Sequence, residues 1–269
     1  FFYAFSATFI QNTRFSWNPN PAPLAALLMI YFSYLAWKKN PWNWIWVSVC
    51  FSVLIQLHYL TLLSLPAAGI VWLLALRDQW KKSTNKKSLS IWKRISPLLI
   101  PSLIAGGVFL LSLTPLVLFD IKHQGNNLNA FKGLLSSEEN FKYAPKISLI
   151  KKVGETIKEN EGRGMHILFE TMIGKNRSLN KALLYFTAIF ITGFMFIKKK
   201  QKKDLSKISV ILIYLLVGIV GTSLYEHTIF DHYISYLFPV TALIYGLVIS
   251  KIKPKIIAVV AFLALGSYF

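Results

Sequence analysis

Charge is scarce in this sequence. Of its 269 residues only 15% are charged, and 11 acidic residues stand against 30 basic ones, so an ordinary soluble surface cannot be assembled from it. Cysteine is nearly absent: Cys50 alone, inside an apolar stretch, excludes an intramolecular disulfide and any cysteine-built metal site. No glycine-rich phosphate loop, serine nucleophile elbow or zinc-protease helix motif occurs, so nucleotide chemistry of the soluble type is not supported. The opening Phe1-Phe2-Tyr3-Ala4-Phe5 lacks a charged flank and a small-residue cleavage site, and reads as the start of a fragment whose true N-terminus is missing. What abounds is apolar surface. A hydrophobic share of 54% and a mean hydropathy of +0.48 exclude disorder and a collagen-like fibre.

Apolar runs of bilayer length recur from end to end, at 22–37, 44–76, 97–118, 182–197, 208–224, 233–250 and 255–269. A span needs roughly 20 residues at about 1.5 Å rise each, so the second run is too long for one helix. Gln56, His58 and Tyr59 interrupt it and Pro66 follows, which predicts two shorter helices with a turn near His58. Residues 1–11 read as the tail of an earlier span. The expected fold is all-α, a polytopic transmembrane helix bundle of about eight spans with one larger extracytoplasmic loop. Its parts are an N-terminal bundle over 1–118, the loop over 119–181 and C-terminal helices over 182–269. Within the loop, Lys146 to Glu161 predicts a solvated helix and Gly162-Arg163-Gly164 a turn after it.

Four short segments between the runs, at Lys38-Lys39, 77–94, 198–207 and Lys251 to Lys255, carry 18 basic residues and two acidic ones. Alternating the direction of the spans places all four on one face, the cytoplasmic one, although the spans were assigned from hydropathy alone. Orientation and the anionic lipid of the cytoplasmic leaflet thus account for the net charge of +19, and nucleic acid is not implied. Nine of the 11 acidic residues and all five histidines fall in or beside the outward segments.

Four outward constellations stand out. Asn12 to Pro21 precedes a span; Trp17 and the prolines suit an interfacial anchor, while Arg14 with the nearby helix N-terminal amides, and Asn18 beside it, equally suit a phosphate at the lipid surface. Gln56-Leu57-His58-Tyr59 places an imidazole between apolar helices, where an ionisable group is costly and usually faces a cavity or the bundle interior. Asp120, Lys122 and His123 emerge together at the end of a span, either as a salt-bridged helix end or as a mixed site for an anionic headgroup. Tyr225 to Tyr233 links two spans and contains Glu226, His227, Asp231 and His232. These are weak candidates for a divalent metal, since no zinc signature is met, and polar substrate contact or interhelical hydrogen bonding is the other reading. The sequence implies no other cofactor.

Taken in order, Arg14-Phe15-Ser16-Trp17-Asn18-Pro19, Gln56 to Tyr59 with Pro66, Pro115 with Phe119-Asp120-Ile121-Lys122-His123, and His232-Tyr233 with Pro239 resemble the polytopic GT-C glycosyltransferases. The likeness is to the bacterial relatives of protein mannosyltransferases and aminoarabinose transferases. It implies a glycosyltransferase of the bacterial plasma membrane with its active face extracytoplasmic. Such an enzyme takes a sugar from a polyprenyl-phosphate carrier and transfers it to a lipid, glycan or protein acceptor, with membrane lipids as its other partners. By that resemblance Arg14, His58, Lys122 and His123 surround the lipid phosphate, Asp120 orients them or the sugar, and His232 and Tyr233 line the carrier groove, with Asn18 and Tyr59 also among the substrate-binding residues. The acidic base of such enzymes lies in a first outer loop and so is expected upstream of residue 1, which leaves this fragment expected to be inactive by itself. A transporter or flippase for an amphipathic anion would also gather cations and histidines at a membrane cavity, with broken helices near mid-bilayer and internal repeats, of which the sequence has none.

Overall fold

The computed structural model describes residues 10, 14, 20–84, 90–126, 128, 129, 132, 149–170, 176–201, 204–224 and 229–250. Of the fold it describes, 90% is helical, and the described residues include no strand. The helices are α1 (Ala22–Lys38), α2 (Trp44–Leu57), α3 (Ser64–Thr84), α4 (Ile91–Ser112), α5 (Thr114–Lys122), α6 (Leu149–Met165), α7 (Arg177–Lys200), α8 (Ser206–Ser223) and α9 (Phe238–Ile249). Three 3₁₀ segments, Pro41–Asn43, Tyr59–Leu63 and Asp231–Leu237, introduce α2, α3 and α9, and a π-helical turn, His166–Glu170, extends α6.

Five helical stretches are long and apolar enough to cross a membrane: Tyr59–Ser83, Ile91–Lys122, Arg177–Lys200, Ser206–Ser223 and Asp231–Ile249. Ala22–Lys38 and Pro41–Leu57 are shorter apolar helices. These cover the six central runs expected from hydropathy. The flanking segments 1–11 and 255–269 lie, but for Ile10, outside the described residues. The long run breaks where its polar residues foretold: α2 ends at Leu57, His58 is extended at φ −163° and ψ 136°, and α3 follows the 3₁₀ turn.

Local chemistry sets the helix starts. Pro23 lies in the first turn of α1, where its missing N–H costs nothing. Ser90 and Asn176 cap α4 and α7 by accepting from the Lys93 and Leu179 N–H groups. The core lies among α1, α2, α3, α8 and α9, where Met29, Leu54, Val71, Val210 and Phe238 are buried. Hydroxyls and an indole join the layers: Ser33 and Tyr214 are 2.9 Å apart, Ser48 donates to the Ala105 carbonyl, and Trp72 donates to Ser102. α4 and α7 instead present Leu103, Leu110, Leu111, Ile189 and Phe196 outward, an apolar exterior suited to hydrocarbon.

Two glycines on α8 let the 3₁₀ segments seat closely. A Cβ at Gly218 would lie 2.6 Å from a Leu237 methyl, and one at Gly221 would overlap the methyls of Leu63. Leu63 and Leu237 each end a 3₁₀ segment, so the absence of two side chains on α8 fixes where both segments rest.

The expected turn at Gly162-Arg163-Gly164 is not formed. α6 continues through it to Met165, and the following Ile167, Leu168 and Phe169 are buried. Packing overrides local propensity here: a Cβ at Gly164 would already touch Leu184 of α7 and Ile219 of α8, so the bare backbone lets the helix lie against both. Within the expected solvated helix, Glu155 and Lys158 are exposed. Its later part is tied to α7, where Lys181 and Tyr185 meet Glu161 at 2.8 and 2.9 Å.

Basic segments gather at one end of the bundle. Lys38, closing α1, pairs with Asp78 near the end of α3 at 2.9 Å, and Trp37 donates to the same carboxylate. Arg94 lies over the Trp80 ring and Lys207 over Tyr34. Three of the four basic segments therefore meet there; the fourth lies outside the described residues.

Candidate functional site at the polar end of the bundle

At the opposite end, the 3₁₀ segments Tyr59–Leu63 and Asp231–Leu237 pack against one another. Their juxtaposition brings His58, Tyr59, His232 and Tyr233 together. The His58 ring stacks on Tyr59 at 4.5 Å and on Tyr233 at 4.3 Å between centroids, and His232 meets Tyr233 edge-on at 4.4 Å. His58 also builds the turn that carries it. Its Nδ1 accepts from the Leu60 N–H at 3.2 Å, and its carbonyl accepts from Thr61 Oγ at 2.6 Å. With Nδ1 used as acceptor, the ring's Nε2–H is the face left for an outside partner.

The arrangement extends to residues that sequence reasoning did not single out. His166, at the start of the π turn, has Nδ1 3.0 Å from Glu170 Oε2 and Nε2 3.0 Å from Asp231 Oδ1. The second contact is an ion-pair approach that lies off the line of a good hydrogen bond. Asp231, and after it Glu170, hold the His166 imidazolium above its usual range, against burial that acts the other way. The π turn is itself secured by α9: Thr241 donates to the Ile167 carbonyl at 3.1 Å and Tyr245 to the Leu168 carbonyl at 2.7 Å. Glu170 four residues after His166 was the only signal within reach of the sequence; the approach of Asp231 depends on the fold.

The remaining expected residues are placed elsewhere. Asp120, Lys122 and His123 sit at the exposed end of α5, whose substantial packing is against α4 and not against the 3₁₀ segments. The His123 ring stacks on Phe119 at 3.9 Å with Nδ1 2.7 Å from the Phe119 carbonyl, and Asp120 accepts from the Leu128 N–H at 3.0 Å. These contacts terminate a helix, and the structure does not join them to the His58 cluster. Arg14 is exposed. Asn18, Glu226 and His227 lie outside the described residues, and among the described residues no three His, Cys, Asp or Glu side chains form a group able to hold a metal ion.

An apolar cavity of about 310 Å³ opens between α1, α2, α3 and α4. Phe51, Leu65, Trp72 and Phe109 are among its walls, and Leu65 lies two residues beyond the 3₁₀ turn that His58 caps. A chemically mixed cluster of two imidazoles, two phenols and a carboxylate thus stands near an apolar cavity that reaches Leu65 at this end and Trp44 at the start of α2. Such an arrangement can bind the polar head of an amphipathic molecule by hydrogen bonding and its chain by burial.

No family model, no curated protein and no solved structure matches this chain.

Proposed function

We propose that the chain acts in transfer of a sugar from a polyprenyl-phosphate carrier to a lipid, glycan or protein acceptor at the extracytoplasmic face of a bacterial plasma membrane, as a GT-C-like glycosyltransferase. The observation that carries this reading is the His58–Tyr59–Tyr233–His232 cluster at the end of the bundle opposite the basic segments, beside an apolar groove. Donor N–H and O–H groups there suit the phosphate that becomes the leaving group, since its charge grows as the sugar departs. The apolar groove suits isoprene units, which hydrocarbon solvates equally well, so the groove orients the carrier more than it holds it. Arg14, Lys122 and His123 would be recruited to the phosphate only if the outer segments close over it.

A transporter of amphipathic anions is the competing reading, favoured by the two helix interruptions that meet at the site. The chain direction argues against it: Lys38 and Asp78 bring the ends of α1 and α3 together, so α2 and α3 run antiparallel and His58 sits in the turn between two helices, not within one broken helix.

The test is transfer of radiolabelled sugar from polyprenyl phosphate in proteoliposomes made with the full encoded chain. Transfer that falls about 100-fold in His58→Ala, with membrane insertion unchanged, is expected. Absence of transfer from any polyprenyl-phosphate sugar, with movement of the lipid between leaflets instead, would overturn the reading in favour of transport.

A further inference from the structure

At the basic end a second cleft opens between α7, α8 and α9, and no part of the transferase reading uses it. Its volume is about 660 Å³. Lys198 of α7 and Lys207 of α8 stand at its rim, while Ile208, Ile211, Leu243 and Leu247 form apolar walls. Gly246 of α9 lies exposed in the lining, with open space where a Cβ would be. Neither ammonium is committed to a carboxylate among the described residues; Lys198 rests over Phe194 and Lys207 over Tyr34, each presenting charge beside an aromatic face. The carboxylate in the lining, Asp204, is turned onto its own chain, where it accepts from the Ser206 N–H at 3.0 Å and from Ser206 Oγ at 2.8 Å. Those bonds, the backbone one first, with the more distant charges of Lys38 and Lys207 behind them, hold Asp204 below its ordinary carboxylate range.

We infer that this cleft is a binding site for an anionic phospholipid, whose phosphate lies between Lys198 and Lys207 and whose acyl chain lies along Ile208, Ile211, Leu243 and Leu247 past Gly246. Charge complementarity selects the occupant. A zwitterionic lipid would fill the apolar walls equally well but would gain nothing net from two ammonium groups, and each basic residue near a membrane surface favours an anionic headgroup. The site requires only that the chain span a bilayer, so it stands or falls independently of glycosyl transfer.

The test is native mass spectrometry of the full chain released from phosphatidylcholine nanodiscs doped with phosphatidylglycerol, comparing lipid retained by wild type and variants. Lys198→Gln with Lys207→Gln should lower the affinity for phosphatidylglycerol roughly tenfold, while Lys81→Gln with Lys82→Gln, at the same end of the bundle, leaves it unchanged. Gly246→Leu, which keeps both charges and fills the cleft, should lower retention of phosphatidylglycerol as well. Equal losses in the two lysine pairs would show a diffuse surface attraction and overturn the site. Full retention in Gly246→Leu would overturn the placement of the acyl chain.

Discussion

Replacing Gly218 by Ala tests whether α8 seats the turn that carries His232 and Tyr233. In an unhindered helix the substitution stabilises by about 1 kcal/mol, because alanine gives up less backbone freedom. Here the new Cβ would lie 2.6 and 2.7 Å from the two methyls of Leu237, well inside ordinary contact. Leu237 is only 1% exposed and ends a 3₁₀ segment, so moving its methyls aside must displace packed neighbours. Overpacking of this kind costs about 1–3 kcal/mol, which cancels the gain and leaves a net loss of up to about 2 kcal/mol. Gly221→Ala meets Leu63, which is only half-buried and can swing away, so its loss should be smaller. The assay is reversible unfolding in mixed micelles, followed by circular dichroism, as a double-mutant cycle with Leu237→Ala. Removing the Leu237 methyls should relieve the clash and give a favourable coupling of about 1 kcal/mol or more between the two positions. A Gly218→Ala protein about 1 kcal/mol more stable than wild type, as in an unhindered helix, or two substitutions whose effects simply add, would refute the seating argument.

Two further outcomes follow from the π turn. His166 has its folded titration raised by Asp231 and Glu170, so the stabilisation it supplies is complete below its ordinary value near 6.5 and is lost as pH rises through the folded value. Thermal melts in detergent should therefore show wild type losing stability between acid and alkaline pH while His166→Gln stays nearly flat; the same slope in both proteins would remove His166 as its source. Tyr245→Phe deletes the donor to the Leu168 carbonyl and should cost about 1–3 kcal/mol by the same melts, whereas Tyr185→Phe, exposed on α7, should cost less than 1 kcal/mol. Equal costs would show that the π turn does not depend on α9.

The helix runs were legible because hydrocarbon leaves so little choice: residues 44–76 had to break, and Gln56, His58 and Tyr59 were the only polar cluster at which they could. The clustering of basic segments was legible for the same reason, since their chemistry bars them from the core. What could not be read was any contact made at long range. Gly162-Arg163-Gly164 has the composition of a turn, and only the proximity of Leu184 and Ile219 explains why a helix uses Gly164 as a place to pack. The π turn after it exists because hydroxyls 74 and 77 residues further along the chain accept the task of satisfying its carbonyls. His58 with Tyr59, and His232 with Tyr233, were each visible as pairs in sequence, but their stacking on one another depends on the glycines of α8. Asp120, Lys122 and His123 looked equally purposeful, yet their contacts are those of a helix ending, because short polar residues after an apolar helix serve both ends alike.

Interrupting a helix at the edge of a bilayer frees backbone groups that cost several kcal/mol each when left without partners in hydrocarbon. In the break after α2 those groups are met one by one: Leu60 N–H by His58 Nδ1, the His58 carbonyl by Thr61, and the Thr61 carbonyl by Ser64. A continuous helix is closed to this chain, because Lys38 and Asp78 bring the ends of α1 and α3 together and so α2 and α3 run in opposite directions. The sequence instead spends a histidine, a threonine and a serine on holding the chain open, and the effect is to project the His58 ring across the bundle onto Tyr233. Replacing His58 by leucine leaves the Leu60 N–H without its acceptor and should lower stability by about 1–3 kcal/mol in detergent melts; an unchanged melt would show that the turn does not depend on the imidazole. The turn is thus held by specific side chains, and its ring faces Tyr233 in the 3₁₀ segment that introduces α9.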